Sequence, residues 1–290
     1  MVGYKYGAID IGSVQYDECL KIQSTPLKCS WRSMGNIDDL YALRYSSNVY
    51  QYKIAIKVGN GTYMYDQPLK INTDAFKKYR DMYASFGLGV KTEIDLPVES
   101  SGYSSTDKAA GNLLDFVMGQ YETYTPIQLS QYISTIANGG ARIKPHLLKE
   151  VHSSSNTEEI GELEFSVEPI ILNTIATEQV YFNRVKEGFY AVMHSPGGYG
   201  VGYIDDWMDA SGKTGTSQSF IDTNNDGVID TETITSTFIG YLPSSAPKVT
   251  FVVTSPDSSH PNSNIDYRSL VTYYLTREVA RKYTELYGLY

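Results

Sequence analysis

Three strand-like runs crowd the last third of this sequence: about Met208 to Phe220, Thr235 to Leu242, and Lys248 to Ser255. A long helical stretch, about Asp266 to Tyr287, follows them. Connections this short favour an antiparallel meander, because parallel neighbours need a long crossover. One antiparallel sheet with helices gathered elsewhere is an α+β arrangement.

Upstream the signals are mostly helical. Asn36 suits an N-cap, Asp38 and Asp39 suit the positive end of a helix, and Leu40 and Leu43 share a face. That run meets Ser46-Ser47-Asn48, whose side chains compete with helical backbone bonds, so a break is expected there. A second helix, about Val49 to Val58, stops at Gly59-Asn60-Gly61, and another is expected from Asp74 to Ser85. A Gly- and Pro-punctuated loop runs from Gly87 through Pro97 to Gly102. Thr125-Pro126-Ile127-Gln128 is a capping box with proline at the first helical position, and Asn138-Gly139-Gly140 ends that helix. Ser153 to Glu164 reads as an exposed hairpin or loop, and Thr177 to His194 as a helix before the glycine-rich 196–202. Met1 to Gly35 reads as irregular with short strands, and Val2-Gly3-Tyr4 looks like the end of an element. The expected division is a helical lobe over about 36–205 and sheet strands with a closing helix over about 206–290.

The chain has 290 residues with 41% hydrophobic content, enough for a large core. Its net charge of -9 argues against nucleic acid and anionic membrane surfaces as partners. No apolar run reaches the ~18 residues of a membrane span, and the start, MVGYKYGAIDIGS, lacks the basic region and apolar core of a signal peptide. As written, the chain reads as soluble. The 26 tyrosines are scattered and read as a compositional bias that fills half-buried positions. Cys19 and Cys29 lack CxxC spacing and a neighbouring histidine, which argues against zinc. Two unpaired thiols are the plainer reading, since a disulfide would need an exporting context.

The stretch DASGKTGTSQ, Asp209 to Gln218, carries the most chemistry. Glycines let another molecule approach the backbone, Lys213 supplies a cation, and Thr214 and Thr216 supply hydroxyls. The combination suits an anion. A phosphate loop would need its first glycine where Trp207 stands, and a helix where a strand is expected. A carboxylate fits better. The competing structural explanation is an edge strand whose lysine protects it from aggregation.

Two other stretches carry possible chemistry. Asp222-Thr223-Asn224-Asn225-Asp226-Gly227-Val228-Ile229-Asp230 follows the first nine positions of a calcium loop, with Asp222, Asn224, Asp226 and Asp230 as candidate ligands. Thr233 stands where the last glutamate belongs, and acidic and glycine residues also make ordinary hairpin tips. The histidines, His146, His152, His194 and His260, are solitary, so no other metal and no cofactor is suggested. A literal Ser-x-x-Lys at Ser105-Thr106-Asp107-Lys108 lies in a Gly/Ser-rich loop and reads as a chance match.

Ser46-Ser47-Asn48 followed far downstream by Lys213-Thr214-Gly215 keeps the order of a serine acyl-transfer signature. With "ALRYSSNVY", "FGLGVKTEIDLPVES", "MGQYETYTPIQLSQYISTIANGGARIKPHLL", "GKTGTSQSFID" and "FIGYLPSSAPKVTFVV", the chain resembles the C-terminal part of a class B penicillin-binding protein transpeptidase domain, of the Gram-positive cell-division type. The resemblance implies a penicillin-binding-protein/β-lactamase-like fold and a D-Ala-D-Ala stem peptide, or a β-lactam, as ligand. It implies catalytic roles for Ser46, Asn48 and Lys213, and substrate contacts for Thr214, Gly215 and Thr216. It also implies a nucleophilic Ser-x-x-Lys upstream of Ser46, expected just before Met1, so that this chain reads as truncated and inactive alone.

Further expectations follow from the same resemblance. A five-stranded family sheet would be short of its first two strands here, so that the last strand exposes an edge open to self-association. The full-length family works on the outer face of the cell membrane and is held there by an N-terminal anchor. A non-catalytic peptidoglycan or division-complex binding module is the alternative function.

Overall fold

The computed structural model describes residues 1–260 and 267–289. In chain order the elements are α1 (Val2–Lys5), β1 (Gln15–Asp17), β2 (Gly35–Ile37), α2 (Asp39–Arg44), α3 (Asn48–Val58), α4 (Asp74–Ser85), α5 (Ala110–Met118) and α6 (Pro126–Ala137). They continue with β3 (Ala141–Ile143), β4 (Glu150–His152), β5 (Leu163–Ser166), β6 (Ile171–Thr174), α7 (Gln179–His194), β7 (Ser211–Ile221), β8 (Thr231–Leu242), β9 (Val249–Ser259) and α8 (Tyr267–Tyr287). The arrangement is α+β. The start expected for the last helix, Asp266, lies outside the described residues.

The expected meander is present: β7, β8 and β9 form an antiparallel sheet with β8 in the middle. Lys213 stands opposite Ile239, and Ile239 opposite Val252. Among the described residues β9 has β8 as its one strand neighbour. β8 starts at Thr231, ahead of the expected Thr235, because Thr231 to Thr233 still pair across the ladder with Ile221 to Ser219.

From the sheet, Phe238, Tyr241 and Leu242 are fully buried. Phe238 and Leu242 meet Val192 and Met193 of α7, Met208, and Ala280 of α8 in one apolar cluster. A larger cluster fills the space among the helices with Phe76, Phe116, Ile133, Ile136 and Phe182. Each such side chain contributes about 1.5–3 kcal/mol by leaving water.

Local chemistry explains where the helices begin. The capping box at α6 forms as expected: Thr125 Oγ1 accepts from Gln128 N, and Gln128 Oε1 accepts from Thr125 N at 2.9 Å. The cap of α2 differs from expectation. Asn36 lies in β2 opposite Tyr16, and Asp38 is the N-cap, its Oδ1 accepting from Tyr41 N at 2.8 Å. Extended pairing with β1 takes Asn36 out of the running. Helix α5 carries no side-chain cap at Ala109, which leaves no start signal to read. The stretch 153–164 does sit in a hairpin, between β4 and β5.

The reading of Cys19 and Cys29 as unpaired thiols is corrected: they form a disulfide. Reciprocal backbone bonds between Leu20 and Lys28, both 2.9 Å, close the ten-residue loop and bring the two sulfurs together. No described helix is long and apolar enough to cross a membrane.

Candidate functional site

The break between α2 and α3 is a tight turn. Ser46 has φ of +53°, a left-handed conformation that non-glycine residues adopt infrequently. Ser47 caps α3, its Oγ accepting from Tyr50 N at 3.0 Å. Behind the turn, the buried carboxylate of Asp17 accepts from Ser47 Oγ at 2.5 Å and Ser30 Oγ at 2.7 Å. Ser30 Oγ also accepts from Val49 N at 3.2 Å. These bonds tie the turn to the disulfide loop, so Ser46 and Asn48 project from a fixed base. Asn48 Nδ2 lies 3.5 Å from the Cys29 carbonyl, a long contact.

Strand β7 delivers the other half. Its first residues are buried against α7, where His194 Nε2 lies 2.8 Å from the Ala210 carbonyl. At Gly212 an added Cβ would stand 2.5 Å from the Phe238 ring, so only glycine lets β7 pack there. At Gly215 the space is open, with the nearest atom 3.8 Å away. Lys213 reaches across to the turn, and its Nζ donates to Ser46 Oγ at 3.0 Å and to the Thr214 carbonyl at 2.8 Å. Burial lowers the Lys213 ammonium to a pKa of about 8.

All six residues singled out from the sequence, Ser46, Asn48, Lys213, Thr214, Gly215 and Thr216, line one cleft of about 610 Å³. The other wall was not foreseen. Trp31 and Tyr199 meet edge to face with ring centroids 5.1 Å apart, and the Arg32 guanidinium lies 4.5 Å from the Trp31 ring. Leu88, Tyr124 and Leu129 complete it. An aromatic bias spread along the whole chain hides such a wall; the glycine-rich stretch that carries Tyr199 was the available signal.

Ser105 and Lys108 do not line this cleft, and Ser105 Oγ accepts from the Tyr121 hydroxyl at 2.8 Å. In the 222–230 loop, Asp222 accepts from Asn224 N and Gly227 N, Asp226 from Val228 N, and Asp230 from Thr223 Oγ1. Among the described residues no group of three or more His, Cys, Asp or Glu side chains is arranged to hold a metal.

The cleft lining therefore offers the Lys213 cation, several hydroxyls and the exposed edge of a strand. That set can hold a carboxylate at the end of an extended chain. Between Met1 and Ser46 there is no Ser-x-x-Lys.

The family model of the penicillin binding protein transpeptidase domain matches residues 1–273. Penicillin-binding protein 2A of Bacillus subtilis is 42% identical over 289 residues, covering 99% of this chain and 40% of that protein. Penicillin-binding protein H of the same organism is 37% identical over 277 residues, covering 94% and 39%. This chain thus spans about 40% of the length of these curated relatives. Among solved structures, penicillin-binding protein 2B from Streptococcus pneumoniae strain R6 superposes with a TM-score of 0.86 at 25% identity, over all of this chain and 46% of that one.

Proposed function

The chain belongs to the penicillin-binding protein transpeptidase family, and from that premise we propose that its cleft holds the D-Ala-D-Ala end of a peptidoglycan stem peptide, or a β-lactam that mimics it. The observation that carries this reading is the pairing of Lys213 with Ser46 across a cleft edged by β7. Lys213 attracts the terminal carboxylate, and the hydroxyls of Thr214 and Thr216 bond it. The peptide lies extended along β7, with Gly215 leaving room for it. Ser46 passes a proton toward the leaving amine, and Asn48 bonds the amide side of the substrate. The Thr216 N–H is half of an oxyanion hole.

The reaction served is serine acyl transfer that cross-links stem peptides. With no Ser-x-x-Lys ahead of Ser46, residues 1–290 by themselves carry the supporting shell and form no acyl-enzyme. Peptidoglycan lies outside the cell membrane, and a disulfide persists in such a compartment, so the site works on the extracytoplasmic face.

The test is fluorescent penicillin incubated with the purified 290-residue chain, read by intact mass. No covalent adduct is expected. An adduct on Ser46 or Ser105 would overturn the assignment of roles. The second reading is a peptidoglycan-binding module without chemistry, which would use the same cleft. The coding sequence upstream of Met1 separates the two: an in-frame Ser-x-x-Lys supports the enzyme, and its absence supports the module.

A further inference from the structure

The free edge of β7 is not free along its whole length. Gln120, just past the C-terminal end of α5, places its side-chain Oε1 3.2 Å from the backbone N of Gln218 and accepts its hydrogen. Successive residues of a strand turn their backbone N–H and C=O to opposite edges, so residues two apart present theirs to the same edge. Gln218 therefore shares its edge with Thr214 and Thr216, and that edge faces away from β8. The Thr214 carbonyl on this edge is already touched by Lys213 Nζ within the cleft. The cleft lining includes Thr214, Gly215 and Thr216 and stops before Ser217 and Gln218. Gly119 and Met118, beside Gln120, are on the lining as well. The open groove ends where the glutamine reaches over.

From this we propose that Gln120 is a specificity-determining residue that limits how much extended peptide the β7 edge can bind. The inference rests on the reading of the cleft as a peptide site. The side-chain amide stands where the carbonyl of a longer added strand would bond. Two outward-facing positions, Thr214 and Thr216, remain for a ligand. Positions two apart are about 6.8 Å apart along a strand, so a ladder of two spans about three ligand residues. The site then reads the last residues of a chain and gains nothing from strand pairing further in. A side chain suits this role because it can be removed without touching the sheet. Gln120 is half-buried and outside every helix and strand, so its truncation leaves the fold intact.

The experiment uses the 290-residue chain and acylated peptides of two to five residues, all ending in D-Ala-D-Ala with a free carboxylate, titrated by calorimetry. Wild type, Gln120→Ala and Gln120→Glu are compared. In the wild type, affinity is expected to rise to three residues and then level off. In Gln120→Ala it is expected to keep rising, by about fivefold for the fourth residue, the gain of roughly one hydrogen bond. Gln120→Glu keeps the acceptor and is expected to level off like the wild type. Amide hydrogen exchange at Gln218 without ligand gives an independent reading: protection is expected to fall in Gln120→Ala and to hold in Gln120→Glu. Binding that levels off at the same length in all three proteins, with unchanged exchange at Gln218, would overturn the inference while leaving the peptide site standing. Failure of every peptide to bind the wild type would instead overturn the peptide site itself, and this inference with it.

Discussion

Lys213 Nζ sits 3.0 Å from Ser46 Oγ, although 167 residues separate them in the chain. Burial holds this ammonium near pKa 8, below the usual lysine range of about 10.4. Its charge, and with it the pull on a carboxylate ligand, is present below pH 8 and fades above it. Affinity for a carboxylate-ended peptide is expected to fall between pH 7 and pH 9, measured by calorimetry across that range. Lys213→Arg keeps its charge and should flatten the profile, while Lys213→Ala should bind at least tenfold more weakly throughout. Stability runs the other way. The unfolded chain holds this proton between about pH 8 and 10.4 when the folded one does not, so this group makes stability rise with pH across that window.

Two glycines three residues apart on β7 should respond differently to alanine. Gly212→Ala forces a methyl group to within 2.5 Å of the Phe238 ring and 2.7 Å of the Ile239 carbonyl. Overpacking of this kind costs about 1–3 kcal/mol, visible as a lower melting temperature. Gly215→Ala meets nothing closer than 3.8 Å in the free protein. It should leave the melting temperature nearly unchanged and weaken peptide binding, because the methyl group occupies the ligand's path.

The α2–α7 contact includes a bidentate ion pair. Arg184 donates to both oxygens of the buried Asp39 carboxylate at 2.8 Å, and the Tyr4 hydroxyl donates to the same group. Burial pushes the Asp39 pKa upward, but the hydrogen bonds from Arg184 and Tyr4 outweigh it and hold the carboxyl below its ordinary value. The stability it contributes is present above the unfolded value of about 3.9 and is lost as pH falls through the lower folded value. Arg184→Met leaves Asp39 buried without its partner, and a loss of about 3 kcal/mol in denaturant unfolding is expected.

The Cys19–Cys29 bridge closes a short loop that supports the Ser46–Asn48 turn through Ser30 and Asp17. A double Cys→Ser variant should lose roughly 2–3 kcal/mol, the loop-closure entropy for a ring of this size. Peptide affinity should fall as well, because the base under Ser46 loosens. Chemical denaturation with and without reductant checks the first effect, and calorimetric titration with a D-Ala-D-Ala peptide checks the second.

Much of the cleft lining was legible in the sequence, as two stretches of local chemistry that the family resemblance joined. Ser46-Ser47-Asn48 breaks a helix whatever surrounds it, and glycines around Lys213 are needed wherever backbone is approached closely. The meander was legible from its short connections. What escaped depended on distant partners. Asn36 looks like a better cap than Asp38 until β1 pairs with it. Helix α5 has no cap residue to announce it. The disulfide follows from a single bridge between Leu20 and Lys28 that no spacing rule contains. Trp31 meets Tyr199 from 168 positions away in the chain, and Gln120 carries no local pattern.

The most direct test of a carboxylate-reading cleft is a calorimetric titration of the 290-residue chain with N-acyl-D-Ala-D-Ala and, separately, with its C-terminal amide, at pH 7. The free acid is expected to bind saturably and at least tenfold more tightly than the amide. Equal affinity for the two, or none for either, would contradict a site built around Lys213 and Ser46.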